Sequence, residues 1–344
     1  MSDPVPPAYF TISNDIVDRL LQGAHQLAGV PEEDRRSVLR TALDAVPEGA
    51  ELVRPYPNLL ADGDSGASRL AFSCLSAAAT FPRARPEQIA DLGTMITILF
   101  GFDDIADNIA GQWSHHDISD FFRQLCVMVS GEPARVNAED ALGQGLRVWE
   151  AWCARFRGHA GAAAHAANLR EQLELAGAAM MRERRWAAGE EPWPAYDEYV
   201  SNGSLTILYP TWWAAALAIC GPAPADAGHW DAIARVTSLG AACMRLVNDI
   251  RTFERERSEG KPSSVLILER AGLPTEAAVK RVFAHYAELH AAFLAALEEL
   301  PAPLAGIAEG QRRNVAFNGG WYMARDTHAY TVQELAKDVD AYTD

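Results

Sequence analysis

Asp103-Asp104-Ile105-Ala106-Asp107 and Asn248-Asp249-Ile250-Arg251-Thr252-Phe253-Glu254-Arg255-Glu256 are the stretches on which the reading of this chain turns. Each sits in an apolar helical context and repeats oxygen-bearing side chains every fourth residue. A helix advances about 100° per residue, so a step of four turns only about 40° around the axis. Asp103 and Asp107 therefore share one helix face, and Asn248, Thr252 and Glu256 form a stripe on another. Carboxylate, amide and hydroxyl oxygens without a His or thiolate partner suit a hard cation such as Mg²⁺. The stretches lie 145 positions apart (248 minus 103), far enough to belong to two facing helices that clamp a metal–diphosphate complex.

Composition sets the frame around them. Of 344 residues, 49% are hydrophobic, enough for a large buried core, and the formal charge is −16. So acidic a chain is a poor nucleic-acid binder, because phosphate backbones recruit basic surfaces. An acidic enzyme with an anionic substrate needs local cations, and bound Mg²⁺ would supply them. Cys74, Cys126, Cys153, Cys220 and Cys243 are scattered, odd in number and without zinc-like spacing. They read as reduced core thiols of a cytoplasmic protein. The start, MSDPVPPAYF, has neither a basic nor an apolar leader region. The apolar run from Tyr209 to Pro222 is too short and Trp-rich for a membrane span, so no stable membrane insertion is expected.

Helical periodicity runs outward from the two motifs. It covers 14–27, 34–45, 69–80 and 86–99, the last beginning at Pro86-Glu87 and carrying the first motif near its C-terminal end. It continues over 117–130, 137–159, 162–188 and 196–220, with a break marked by Gly203 and Pro210. The helix over 231–259 carries the second motif and stops at Gly260-Lys261-Pro262, and helices over 274–297 and 303–322 follow. No run of alternating β-branched residues commits to a sheet. The expectation is an all-α bundle: a flexible arm over 1–13, then one helical domain over 14–344.

Phe102-Asp103-Asp104-Ile105-Ala106-Asp107 resembles the DDxxD motif of class I terpene cyclases, and Asn248-Asp249-x-x-Thr252-x-x-x-Glu256 resembles their second metal motif, (N/D)Dxx(S/T)xxxE. The resemblance runs from about residue 64 to 330, in the family's own motif order. It implies an isoprenoid-synthase helical bundle around a central apolar cavity, with a trinuclear Mg²⁺ cluster assembled on the substrate diphosphate. Asp103 and Asp107 would hold two ions, and Asn248, Thr252 and Glu256 the third. Asp104, turned about 100° from Asp103, suits a salt bridge better than ligation, and Asp249 is likewise off the ligand stripe.

The segment 248–265 (NDIRTFERERSEGKPSSV) is similar to labdane-related, kaurene-synthase-like cyclases, which join the Asn/Thr/Glu triad to a following Glu-Gly-Lys. Simple bacterial sesquiterpene cyclases place a diphosphate-sensing Arg where this chain has Ser201-Asn202-Gly203-Ser204. They also end on an adjacent Arg-Tyr pair, whereas Arg325 and Tyr330 are separated here. Diphosphate recognition would then fall to Arg245, Arg255 and Arg325, although Arg245 equally reads as an ion-pair partner on its helix.

A cyclase also needs a dry pocket with aromatic faces for cation–π stabilisation of carbocations. Phe72, Phe102, Tyr209, Trp213 and Trp321 are the aromatic candidates, each also readable as ordinary core. Gly203 and Pro210 could free backbone carbonyls toward a cation. The implied activity is ionisation and cyclisation of an allylic isoprenyl diphosphate, by carbon–oxygen lyase chemistry. Geranylgeranyl or a copalyl-type diphosphate is the expected substrate, and farnesyl diphosphate the alternative. A homodimer is compatible with this reading. The rivals are a chain-elongating synthase, which needs a second DDxxD, and a non-catalytic helical interaction protein, which needs no Mg²⁺.

Overall fold

The structure, a computed structural model, describes residues 27, 29–57, 59, 65–107, 113–133, 135, 140–324 and 330–341. The expected arm over 1–13, nearly all of the helix over 14–27, and Arg325 lie outside the described residues. Among the described residues the chain is helical and contains no strand. The helices are α1 (Glu32–Val53), α2 (Ser65–Thr80), α3 (Pro86–Asp107), α4 (His115–Val129), α5 (Ala141–Phe156), α6 (Ala162–Ala187), α7 (Tyr196–Thr206), α8 (Tyr209–Cys220), α9 (Gly228–Glu259), α10 (Ser264–Arg270), α11 (Thr275–Glu298), α12 (Ala305–Ala324) and α13 (Val332–Ala341).

Local chemistry explains many of the ends. Ser114 and Asp117 form a reciprocal capping box at the start of α4, and Asp140 caps α5 by accepting from the Gly143 amide. At the other end of α9, Gly260 takes φ 72°, the left-handed conformation that a glycine reaches without a Cβ penalty. The short helix α10 and the terminal α13 were not expected from periodicity, each having three turns or fewer over which a pattern can repeat. Helix α3 also runs past the expected residue 99 to Asp107, so the whole first motif is helical.

Helix α3 is central, packing on α1, α2, α5 and α8. Its N-terminal half is pinned by a buried polar knot. Trp152 donates to the Asp91 carbonyl at 2.8 Å, Arg155 bridges Asp91 and Glu48, and His159 lies 2.8 Å from Asp91 Oδ2. Around it Trp149, Trp152 and Phe156 stack with centroid spacings of 4.7 and 5.3 Å. Helix α9 packs on α7, α8, α11 and α12 on the far side of the molecule. Between α3 and α9 the core opens into a cavity.

The expected run 196–220 is two helices. The break falls at Leu208, whose φ of 57° puts a bulky side chain in the left-handed region, a cost of roughly 1–2 kcal/mol. Although Tyr196–Cys220 is apolar enough to cross a membrane, 83% of its most apolar 18-residue stretch is buried inside the bundle. All five cysteines are unpaired thiols, four of them buried.

Candidate active site

The cavity encloses about 800 Å³. Asp103, Asp104 and Asp107 line it from the last turn of α3, and Asn248, Thr252 and Glu256 line it from α9, so both oxygen stripes face one space. Three carboxylates at a helix C-terminus oppose the negative end of the helix dipole. Cations offset them. Arg69 pairs with Asp104 at 3.0 Å, Lys261 reaches Asp107 at 3.0 Å, and Arg184 donates to the Ala106 carbonyl at 2.5 Å. Asp104 thus takes the salt-bridge place expected for it. The Asp103 carboxyl is nonetheless held well above the usual carboxylate range, by burial first and then by the charges of Asp107, Asp104 and Glu183.

The α9 stripe is partly organised without a ligand. Thr252 donates to Glu256 Oε1 at 3.0 Å and to the Asn248 carbonyl at 2.9 Å. The other oxygen, Glu256 Oε2, is buried with no hydrogen-bond partner among the described residues. Burial, then the charge of Asp249, pushes Glu256 up to about 8. A buried, unpartnered carboxylate oxygen beside an amide and a hydroxyl is a donor set that fits a hard cation. No three His, Cys, Asp or Glu side chains among the described residues make a closed metal cage by themselves. Any ion bound here keeps room for oxygens from elsewhere.

Asp249 is not part of the cavity lining and is fully buried. It accepts from the Tyr199 hydroxyl at 3.1 Å and the Ser264 amide at 3.0 Å, and pairs with Arg245 Nε at 2.9 Å. Arg245 also contacts the Tyr199 hydroxyl and lies 4.9 Å from that ring's centroid. Arg245 is the ion-pair partner of Asp249, and it also lines the cavity. Arg255 lines the cavity too, half-exposed and near Glu259.

The expected cavity residues divide. Phe72 and Tyr209 line the cavity. Phe102 does not: it is fully buried edge-on against Phe121 and Trp149, turned about 100° from Asp103 around α3. Trp213 does not either, since its ring packs into the core against Phe81 and Trp212. Trp321 stands behind the wall, 5.1 Å from the Phe72 ring, tilted against Phe317 and edge-on to Tyr330. Gly203 is neither on the wall nor at the break. It sits inside α7, where a Cβ would come within 2.8 Å of Arg245, so its bareness makes room for that arginine. At the break itself Pro210 has no N–H to offer the Thr206 carbonyl, and Thr206, Ile207 and Leu208 line the cavity.

Residues 94–291 match the family model described as terpene synthase family 2, C-terminal metal binding. The chain belongs to the terpene synthase family. The fold of this terpene synthase is similar to that of 2-methylisoborneol synthase from Streptomyces coelicolor A3(2), at TM-score 0.67 and 17% identity over 88% of this chain and 93% of that one. It is also similar to linalool/nerolidol synthase from Streptomyces clavuligerus, at TM-score 0.61 and 18% identity over 81% and 91%. These are class I terpene synthase folds.

Among curated proteins, the terpene synthase is 31% identical over 103 residues to stemar-13-ene synthase of Oryza sativa subsp. japonica. It is 32% identical over 114 residues to an ent-kaurene synthase of Vitex agnus-castus. The matches cover 30% and 32% of this chain, but only 12% and 14% of those far longer relatives.

Several cavity residues of this terpene synthase escaped the sequence reading. Arg69 and Glu183 have no local motif, and only packing brings them to the site, whereas Arg251 sits within the second motif at a position the motif leaves open. Glu183, on α6, accepts from Thr206 at 2.9 Å and Asn202 at 3.3 Å, and burial raises its pKa. Asn202 spends its amide on Glu183 and on the Ala179 carbonyl. A further signal was legible: Gln311, Asn314 and Asn318 recur at helical spacing on one face of α12.

Proposed function

We propose that this chain is a class I terpene cyclase that ionises an allylic isoprenyl diphosphate and cyclises the resulting carbocation. The observation that carries the reading is the sharing of one cavity by both oxygen stripes, with an aromatic wall beyond them. Asp103 and Asp107 on one side, and Asn248, Thr252 and Glu256 on the other, would hold a cluster of three Mg²⁺ ions. Bound there, the ions act as Lewis acids that neutralise the departing diphosphate.

The chain's own residues do the rest. Arg245, fixed by Asp249 and Tyr199, offers a guanidinium at the same end of the cavity, and Arg251, Arg255 and Lys261 add positive charge around it. Arg325, outside the described residues, is proposed for this set from its place after Trp321, although it is separated from Tyr330. Below the charged end, Phe72, Phe100, Tyr209 and Trp212 give ring faces to a carbocation and keep water from it.

A C20 substrate, geranylgeranyl or copalyl-type diphosphate, is favoured over farnesyl diphosphate. Two features support it: the similarity to proteins named as stemar-13-ene and ent-kaurene synthases, and a cavity of about 800 Å³, toward the upper end of small-ligand sites. The test is incubation with farnesyl, geranylgeranyl and copalyl diphosphates plus Mg²⁺, with extracts run on gas chromatography. Cyclic products from a C20 substrate are expected, and they should vanish with EDTA. A chain that releases no diphosphate from any of the three is not a cyclase of this kind.

A further inference from the structure

The wall of the cavity away from the carboxylates is not wholly apolar. Ser76 on α2 donates to Asn318 Oδ1 at 3.0 Å, Asn318 donates to Asn314 Oδ1 at 3.1 Å, and Asn314 donates to Thr80 at 2.7 Å. Thr80 closes the circuit on the Ser76 carbonyl at 2.8 Å. Ser76, Asn314 and Asn318 all line the cavity, beside Phe72 and Tyr322. Next along the same face of α12, Gln311 accepts from the Tyr209 hydroxyl at 3.0 Å and donates to Thr237 at 2.6 Å.

The position of this ladder matters. Arg69, which pairs with Asp104, precedes Ser76 on α2 by seven residues, which a helix converts to about 10 Å of axial distance. The amides therefore lie deep, well separated from the metal-motif end. A primary amide has two N–H donors and two acceptor lone pairs. In Asn318 the protein bonds among described residues use one N–H and one lone pair, leaving one of each, and Asn318 is only half-buried. An ordered water needs a polar, roomy niche with two to four partners. Asn318, the second Asn314 N–H and the Ser76 oxygen provide one.

We propose that Ser76, Asn314 and Asn318 hold a water molecule that captures the carbocation, so that the product is a terpene alcohol with its hydroxyl on a carbon remote from the original diphosphate-bearing one. This rests on the cyclase reading above. In the step, a water lone pair forms the new C–O bond to the cationic carbon. The oxonium then loses one proton, which the diphosphate freed on ionisation takes up, so atoms and charge balance. Asn318 and Asn314 position the water by donating to and accepting from it, while Ser76 fixes the orientation of the Asn318 amide.

The experiment is turnover of the full chain with Mg²⁺ and each of farnesyl, geranylgeranyl and copalyl diphosphates in H₂¹⁸O, with mass spectrometry of products and a separate assay of released diphosphate. Incorporation of ¹⁸O into a cyclic alcohol is expected. Asn318→Leu should lower the alcohol fraction by about fivefold or more in favour of hydrocarbon, the scale of one lost hydrogen bond. Because the readout is a ratio among products, a general loss of turnover leaves it unmoved. Ser76→Ala, one hydroxyl smaller in a helix already rich in alanine, is the second variant should Asn318→Leu fold poorly, and it should move the ratio the same way. Normal diphosphate release with hydrocarbon products alone overturns water capture and leaves the cyclase reading standing. So does an alcohol fraction that neither variant changes. Absence of diphosphate release removes the cyclase reading, and this proposal with it.

Discussion

Lys261 Nζ lies 3.0 Å from Asp107 Oδ2, joining the last turn of the first motif helix to the segment just after the second. The same ammonium is 2.9 Å from Glu259. One cation therefore ties both sides of the cavity mouth together, at a carboxylate that the metal reading also claims.

Lys261 and a divalent ion would compete for Asp107. Lys261→Met should tighten binding of Mg²⁺ alone by about threefold, the scale of a half-exposed ion pair. Retention of diphosphate with Mg²⁺ should weaken, because a positive charge is lost. Calorimetric titration with Mg²⁺, and with Mg²⁺ plus inorganic diphosphate, separates the two effects; movement of both in the same direction contradicts the competition.

Burial and the neighbouring carboxylates disfavour the charged form of Asp103. Asp103→Asn should therefore raise the melting temperature of the metal-free protein, by about 2 °C for each kcal/mol of relieved repulsion in a chain this long. Turnover should be lost in the same variant, as in Asn248→Ala. A variant that stays active, or that melts lower without metal, disagrees with this account.

For Glu256 the sign can be worked through. Burial pushes its folded-state value up to about 8, and the nearby Glu254 up to about 7, both above an ordinary glutamate. The native state then holds these protons where the unfolded chain has released them. Their contribution to metal-free stability is complete at acid pH and is lost as pH rises through about 7 to 8. Ligation needs the carboxylate, so metal uptake below that range should expel a proton. Calorimetry in two buffers of different ionisation enthalpy should detect the release at neutral pH. It should disappear in Glu256→Gln.

Gly203 leaves space for Arg245. A methyl group there meets the Arg245 side chain at 2.8 Å, so Gly203→Ala should displace the arginine from Asp249 at a cost of about 1–3 kcal/mol. The expected outcome is a lower melting temperature together with weaker diphosphate binding, and unaltered binding would detach Gly203 from Arg245 function.

Phe72 and Trp321 should behave differently although their rings are 5.1 Å apart. Phe72→Leu changes the cavity wall and should redistribute products in a fold that survives. Trp321→Ala empties a fully buried site behind that wall and should cost about 3–5 kcal/mol. Product profiles and thermal melts of the two variants decide the matter.

Much of this was legible in the chain. Spacing in Asp103–Asp107 and Asn248–Glu256 put the ligand-type oxygens on single helix faces, and both faces do line the cavity. Pro210 marked a real interruption of 196–220. The off-stripe positions of Asp104 and Asp249 also foretold their partners in kind, ion pairs and hydrogen bonds, though not by name. The aromatic residues were less readable: Phe72, Phe102, Trp213 and Trp321 have similar helical surroundings in sequence, yet only Phe72 reaches the wall.

The sequence by itself determined the helices, their caps and the chemistry carried on each face, because these depend on residues within a few positions of one another. Tertiary structure alone decided that Arg69 meets Asp104, that Lys261 spans the mouth, and that Ser76 and Asn318 join across two helices. Those pairings span many tens to hundreds of residues along the chain. They are set by how helices pack around a shared cavity, and no local periodicity encodes that.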